Sequence, residues 1–238
     1  MNYTISVVSH HSGKHLQCLF SDLQKFIPKY SEIILTINVP EDETYLGVAG
    51  ELPLKVIRNS RSYGFGENHN RAFQSAQGRY FIVVNPDIRL IASPFEVLLE
   101  AFTEKTGACA PLVLSPQRDI EDSVRRFPTV ARLLKRRFHK HHLPDYDLSD
   151  GSVRDIDWAA GMFVMFDANV FRKIGGFDVR YFMYMEDVDI CLRLWSHNYR
   201  VCAVPKAQVV HDAQRASRRS LQHLIWHIRS AIRFLAHI

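Results

Sequence analysis

Tyr80–Asp87 reads YFIVVNPD, five apolar residues in a row followed by a polar turn that ends in a carboxylate. An unbroken run of aromatic and β-branched side chains, with no polar alternation, is the pattern of a strand buried on both faces. Burial on both faces requires helices on either side of the sheet. The segments before it agree. Tyr3–Ser9 (YTISVVS), 32–38 (EIILTIN) and Leu54–Arg58 (LKVIR) are further short strands. Residues 15–26 carry Leu16, Leu19, Phe20, Leu23 and Phe26 at helical spacing, and a second helix is predicted over about 66–76. This order predicts an α/β fold, a Rossmann-like, mainly parallel central sheet flanked by helices. Open sheets of this kind bind ligands beyond the carboxyl ends of their strands. Ser9, Asn38 and Asn85-Pro86-Asp87 stand at three such ends.

Downstream, one strand is predicted over 158–166, a helix over 167–174, a strand over 201–204 and a C-terminal helix over 217–236. Leu221, Leu224, Ile225, Ile228, Ile232 and Leu235 form an apolar stripe on that last helix, with Arg218, Arg219, Arg229 and Arg233 largely off it. Docking of the stripe on the core is the expected arrangement, and seating in a lipid interface is the alternative. Residues 115–157 are rich in charge and turn formers and read as a mobile excursion over the sheet.

The 238 residues are 47% apolar, enough for a substantial core. A net charge of +5, with 30 Lys plus Arg, points to an anionic substrate, a membrane surface or nucleic acid without choosing among them. Cys18, Cys109, Cys191 and Cys202 lack CxxC spacing and sit mostly among apolar residues, which predicts reduced thiols and a cytoplasmic protein. No run is long enough to span a membrane, so the chain is expected to be soluble or peripheral.

The densest chemistry lies in Gly175–Trp195, GGFDVRYFMYMEDVDICLRLW. Val188, Cys191, Leu192 and Trp195 share one helical face, so a helix begins near Glu186 and places Glu186 and Asp187 in its first turn. Acids there complement the helix dipole, which is a purely structural reading. The glycine pair and the aromatics Phe177, Tyr181, Phe182 and Tyr184 add the walls of a partly dry pocket, in which a carboxylate can act as general base. Asp87 emerges where an open sheet keeps its ligand site. There it reads either as a ligand for a hard divalent cation or as part of an Asn-Pro-Asp turn. His211 ends the run AQVV and is a further metal ligand, a phosphate contact or a structural histidine. Gly64-Phe65-Gly66-Glu67-Asn68-His69-Asn70 lacks the third glycine of a dinucleotide fingerprint. Its glycines still allow close backbone approach by a ligand, with Asn68 or Asn70 as contacts, or form a simple turn and cap. His139, His141 and His142 lie in a basic run, 132–142, read as a solvated face or as a surface for phosphates or anionic membrane.

Taken together, SVVSHHSG, NSRSYGFGENHNRAFQSAQGRYFIVVNPDIRL, DWAAGMFVMFDANVFRKIGGFDVRYFMYMEDVDICLRL and VPKAQVVH resemble bacterial glycosyltransferase family 2, especially its rhamnosyltransferase-like branch. The resemblance implies one GT-A domain over 1–238. Residues 1–110 would be the nucleotide-sugar-binding half, 111–216 the acceptor and catalytic half, and 217–238 a C-terminal amphipathic helix. It implies a nucleotide-diphosphate sugar donor, a glycan or lipid-linked acceptor, inverting transfer in surface polysaccharide synthesis, and Mg²⁺ or Mn²⁺ on the donor diphosphate. Asp87 would hold the metal with His211 as a further ligand. Ser9, Asn38, Asn68, Asn85, Asp87, Trp158 and Gly161 would form the donor site, and Gly176, Phe177 and Asp178 the acceptor site. Asp187 would be the general base beside Glu186. Asn85 stands where the family's metal motif has its first acid, and Ile37-Asn38 stands where many members have Asp-Asn, so the usual carboxylate contact to the nucleoside is missing. Peripheral contact with the inner face of the membrane is expected, and no nucleic acid partner. A nucleotidyltransferase, or a non-enzymatic binder of nucleic acid or membrane, is the alternative reading.

Overall fold

The computed structural model describes residues 2–132, 144–212 and 221–236. The basic run beyond Arg132, with His139, His141 and His142, lies outside the described residues, as do Arg218 and Arg219.

The strands are β1 (Tyr3–Ser9), β2 (Ser31–Ile37), β3 (Leu54–Arg58), β4 (Tyr80–Val84), β5 (Ile88–Leu90), β6 (Thr106–Leu114), β7 (Val124–Arg125), β8 (Arg154–Asp155), β9 (Trp158–Ala159), β10 (Phe163–Asp167) and β11 (Arg200–His211). The main sheet runs β3-β2-β1-β4-β10-β6-β11-β5, with β8 also paired to β11. Its first four strands are parallel, as expected. Beyond β4 the sheet is mixed, because β10 runs antiparallel to both β4 and β6. Parallel order therefore holds for the half that ends in Ser9, Asn38 and Asn85.

Each central strand feeds two cores. Tyr80, Ile82 and Val84 join Tyr3, Ile5 and Val7 of β1 beneath the helix α1 (Gly13–Phe26), which adds Leu16, Leu19, Phe20 and Leu23. Phe81 and Val83 point the other way, into a cluster with Phe166, Phe171, Phe177 and Leu194. Burying any one of these large side chains contributes about 1.5–3 kcal/mol, so a one-residue slip of β4 would be ruinous. Asp22 of α1 takes both Arg89 Nε (2.6 Å) and the Leu90 N–H (3.1 Å), tying edge strand β5, just after Asp87, to this layer.

Three expectations are corrected. The single strand predicted over 158–166 is two: β9 pairs with β7 in a separate small sheet, and β10 joins the main one. A turn at Gly161 separates them, and its N–H points to Asp187 instead of into a ladder. The strand predicted over 201–204 continues to His211 through a register shift between Val204 and Gln208, after which the inward-facing parity changes. Third, the C-terminal helix (Leu221–Leu235) does not dock by its aliphatic stripe. Leu224, Ile225 and Ile228 are each 48% exposed and Ile232 is 63% exposed, whereas Ser230 and Phe234 are buried. The docked face wins because its polar groups find partners in the 180–184 turn, Ser230 at Met183 O and His223 at the Tyr184 hydroxyl. All four cysteines are free, as expected. Among the described residues no helix is long and apolar enough to cross a membrane.

Candidate active site

The acid helix (Glu186–Ser196) begins where the periodicity places it. Tyr184 and Met185, at φ 70° and 68°, turn the chain sharply into it. Two consecutive non-glycine residues in the left-handed region are costly, and such strain concentrates at functional sites. Glu186 is buried, and its Oε2 has no hydrogen-bond partner. Burial, reinforced by the Asp187 charge, pushes its carboxyl well above the ordinary range. Asp187 is half-buried, and its Oδ2 accepts the Gly161 N–H at 3.2 Å while Oδ1 accepts the Val188 N–H at 2.9 Å. Burial raises its pKa as well, but these two donors and the Arg125 charge oppose that rise. Both carboxyls stay above their ordinary values, Glu186 further than Asp187, and the two backbone donors favour the anion at Asp187.

A second corner forms at the ends of β4 and β11. Asp87 Oδ2 lies 3.3 Å from His211 Nε2, and Glu121 Oε2 lies 2.8 Å from the other ring nitrogen, Nδ1. Burial is the largest single influence on His211 and disfavours its charge, but Asp87 and Glu121 together outweigh it and raise the pKa to about 9. Asp87 Oδ1 is buried without a partner. An orphaned carboxylate oxygen beside an imidazole whose far nitrogen is fixed by a second carboxylate suits a divalent cation. Among the described residues no group of three or more His, Cys, Asp and Glu side chains is arranged to enclose a metal. The donor set fits a site open to ligand oxygens.

Of the expected donor residues, Ser9, Asn38 and Asn68 gather at the β1 and β2 ends, where they serve the protein itself. Buried Ser9 donates to Glu41 Oε1, which also accepts from the Tyr45 hydroxyl at 2.6 Å. Glu41 thus supplies a carboxylate three residues after Asn38, in a chain that has Ile37 where an acid was missing. It borders a cleft of about 390 Å³ lined by His11, Ser12, Lys14, Asp42, Thr44 and Tyr45. Asn38 Oδ1 accepts the Tyr63 N–H (2.9 Å), and its Nδ2 donates to the Tyr63 carbonyl (3.0 Å). Asn68 binds the same loop, donating to Gly64 O at 2.9 Å and accepting from Asn59 at 2.6 Å. Asn85 is anchored through its N–H to Met162 O at 2.8 Å. Trp158 is buried, with Nε1 donating to Arg126 O and Arg125 lying 5.2 Å over its ring.

The GFGENHN segment is a clamp on the chain itself. A Cβ on Gly64 would stand 2.4 Å from Phe182 O, and one on Gly66 would stand 2.6 Å from Phe177 Cβ. The close approach these glycines permit is therefore made by the 177–182 turn, not by a ligand. From the helix α2 (Phe65–Phe73), Asn70 Oδ1 accepts the Phe177 N–H (2.9 Å), its Nδ2 donates to Phe177 O (2.7 Å), and His69 Nδ1 lies 2.8 Å from Ser6 Oγ. Of the expected acceptor residues, Gly176 and Phe177 are buried beside this clamp, and Asp178 pairs with Arg180 at 2.6 Å. The expected aromatic wall is split. Phe177 and Tyr181 are core, while Phe182 and Tyr184 meet Trp226 (4.9 Å between centroids) and His223 (2.8 Å from Tyr184 Oη to Nδ1). Sequence reasoning missed Glu41, Glu121, Arg125 and His223, which come from three separate segments. The Val39-Pro40-Glu41 turn right after β2 was the one local signal available.

Comparison with known proteins identifies the family and the fold. A family model described as glycosyltransferase like family 2 matches residues 2–227. The rhamnosyltransferase WbbL of Escherichia coli (strain K12) is 31% identical over 188 residues, covering 73% of this chain and 70% of that protein. An N-acetylglucosaminyl-diphospho-decaprenol L-rhamnosyltransferase of Mycobacterium tuberculosis is 27% identical over 258 residues, covering 98% and 83%. Among solved structures, GalNAc-T7 with UDP, GalNAc and Mn²⁺ superposes with a TM-score of 0.71 at 16% identity, which shows a shared fold. The match takes in 90% of this chain but 44% of that one. The architecture is thus the expected GT-A fold, a mixed sheet flanked by helices.

Proposed function

We infer the reaction from the family: the chain belongs to glycosyltransferase-like family 2. It is a glycosyltransferase with rhamnosyltransferase relatives, and not a nucleotidyltransferase or a non-enzymatic binder. On this reading it is an inverting, hexosyltransferase-type enzyme. It moves a sugar, rhamnose first among candidates, from a nucleotide-diphosphate donor to a glycan or lipid-linked acceptor in bacterial surface polysaccharide synthesis. Residues 1–110 serve the donor, 111–216 the acceptor and catalysis, and the enzyme works as a peripheral protein on the inner face of the membrane.

The observation that carries this reading is Asp187 at the start of the acid helix, its carboxylate held by the Gly161 N–H beside buried Glu186, whose carboxyl is pushed well above the ordinary range. Asp187 takes the proton of the acceptor hydroxyl as that oxygen attacks the anomeric carbon from the face opposite the diphosphate. The bond to the diphosphate breaks with its electron pair on the leaving nucleoside diphosphate, and the configuration inverts. Burial favours the neutral form of Glu186 more strongly than that of Asp187, so Asp187 is the better placed of the two to take a proton. Asp87 and His211 are the residues that would hold Mg²⁺ or Mn²⁺, with Glu121 orienting the imidazole. When bound, the metal neutralises charge on the leaving diphosphate. Ser9, Asn38 and Asn68 shape the donor site by holding Glu41 and the 59–64 loop in place.

A panel of nucleotide sugars, screened by thermal shift with and without Mn²⁺, tests the donor assignment, because a true donor stabilises the fold by mass action. Transfer from the best donor should then give a product of inverted anomeric configuration by NMR. A retained configuration, or no metal-dependent stabilisation by any nucleotide sugar, would reject the reading.

A further inference from the structure

The C-terminal helix has two dissimilar faces. Its inner face grips the turn that leads into the acid helix. Ser230 Oγ donates to Met183 O at 2.9 Å, Arg233 donates to Arg180 O, His223 meets the Tyr184 hydroxyl, and Trp226 packs on Phe182. Phe234 is sealed into the core behind them. These contacts span residues 180–184, immediately before Glu186 and Asp187. Its outer face offers Leu224, Ile225, Ile228 and Ile232, all about half exposed or more. An aliphatic stripe of this kind on an already docked helix contributes nothing to folding, and contiguous exposed apolar surface marks an interaction site.

We propose that the helix is a membrane-seated clamp: its outer stripe lies in the interface of an anionic bilayer while its inner face holds the 180–185 turn that carries the catalytic acids. Charge selects this occupant over a second copy of the chain. From Leu221 to Ile238 the sequence has Arg229 and Arg233, three histidines and no Asp or Glu. Arg229 is exposed beside the stripe. A helix with aliphatic residues on one side, exposed Arg229 beside them and no acids matches an anionic lipid surface, whereas two such helices brought together would add no opposite charge to meet it. Seating the stripe favours the docked helix over detached conformations, and with it the strained Tyr184-Met185 turn. Lipid binding therefore raises transfer as well as locating the enzyme. The location part stands by itself; the rate part rests on the proposed role of Asp187.

Flotation of the full chain with vesicles of phosphatidylglycerol and phosphatidylethanolamine, against phosphatidylcholine alone, tests the location. Binding should favour the anionic vesicles, fall with salt, and drop at least about tenfold in Ile228→Gln/Ile232→Gln, since those side chains drive insertion. The same variant should keep wild-type thermal stability and donor affinity, because both side chains face solvent. Equal binding by the variant, no lipid preference, or a stripe-dependent dimer by light scattering would overturn the proposal. Transfer to a soluble acceptor separates the two readings. Activity without flotation rejects the clamp and leaves the enzyme assignment intact; flotation without any transfer rejects the enzyme assignment alone. With both present, anionic vesicles that leave the rate on the soluble acceptor unchanged reject the coupling.

Discussion

The backbone N–H of Gly161 donates to Asp187 Oδ2 at 3.2 Å, joining the turn between β9 and β10 to the first turn of the acid helix. A Cβ at this position would stand 3.0 Å from two ring carbons of Phe65 and 3.9 Å from Asp187 Cβ. Gly161→Ala should therefore displace the Phe65 ring and the turn together. Overpacking of this kind costs roughly 1–3 kcal/mol, measurable by urea unfolding, and turnover should fall further than donor affinity. Wild-type stability with wild-type turnover would show that the turn has slack.

The His211 corner makes a graded prediction. Asp87→Ala removes the carboxylate with the orphaned oxygen and should abolish metal-dependent donor binding, and His211→Ala should give a smaller form of the same defect. Glu121→Gln leaves both proposed ligands in place and removes only the orienting charge, so metal affinity should fall by about 10–100-fold. Calorimetric titration with Mn²⁺ in the presence of nucleoside diphosphate ranks the three. Normal metal affinity in Glu121→Gln would reduce that residue to a surface contact.

His69 sets part of the acid sensitivity. Complete burial against Phe65 and Phe177 lowers its pKa to about 3, from an ordinary 6.5. The unfolded chain takes up a proton below pH 6.5 that the native protein refuses. Stability from this group is thus full above 6.5 and is lost as the pH falls towards 3, at up to about 1.4 kcal/mol per unit. Denaturation between pH 7.5 and 5 should show a steeper loss in wild type than in His69→Asn. Parallel curves would mean that His69 is protonated in the folded state.

Glu186 has the opposite sign. Its folded pKa is raised by burial and by Asp187, so its contribution is full below the unfolded value and is lost as the pH rises. Glu186→Gln should match wild type in stability at pH 4 and exceed it increasingly towards pH 8. Its turnover should suffer less than that of an Asp187 variant. A stability difference that does not change with pH would mean that the carboxyl is not neutral in the native protein.

What could be read from the sequence follows from how local each cause is. β1, β3 and β4 were legible to the residue, because their apolar runs are bounded by polar neighbours, and β1 and β4 are also buried on both faces. The start at Glu186 was legible because the Val188, Cys191, Leu192 and Trp195 spacing is intrinsic to the helix. The break at Gly161 was not, since the turn is fixed by a bond to a residue 26 positions away. The continuation of β11 was hidden by its register shift, which interrupts the alternation around Pro205. The C-terminal helix was oriented wrongly because aliphatic residues were assigned inward, whereas Ser230, His223 and Trp226 have partners near residue 183 that no periodicity reveals. The proximity of Asp87 to His211 was anticipated from strand ends, but the Glu121 contact came from the irregular middle segment.

Asp187→Asn tests the central claim most directly, because it preserves side-chain size and the place at the helix start while removing the capacity to take a proton. The measurement is single-turnover transfer from a validated donor to a validated acceptor, with donor affinity determined on the same preparation. Transfer should fall by at least about a hundredfold while donor affinity stays nearly constant. Near-normal transfer by the Asp187→Asn enzyme would contradict the account and move the base to another residue, such as Glu186 or Asp189.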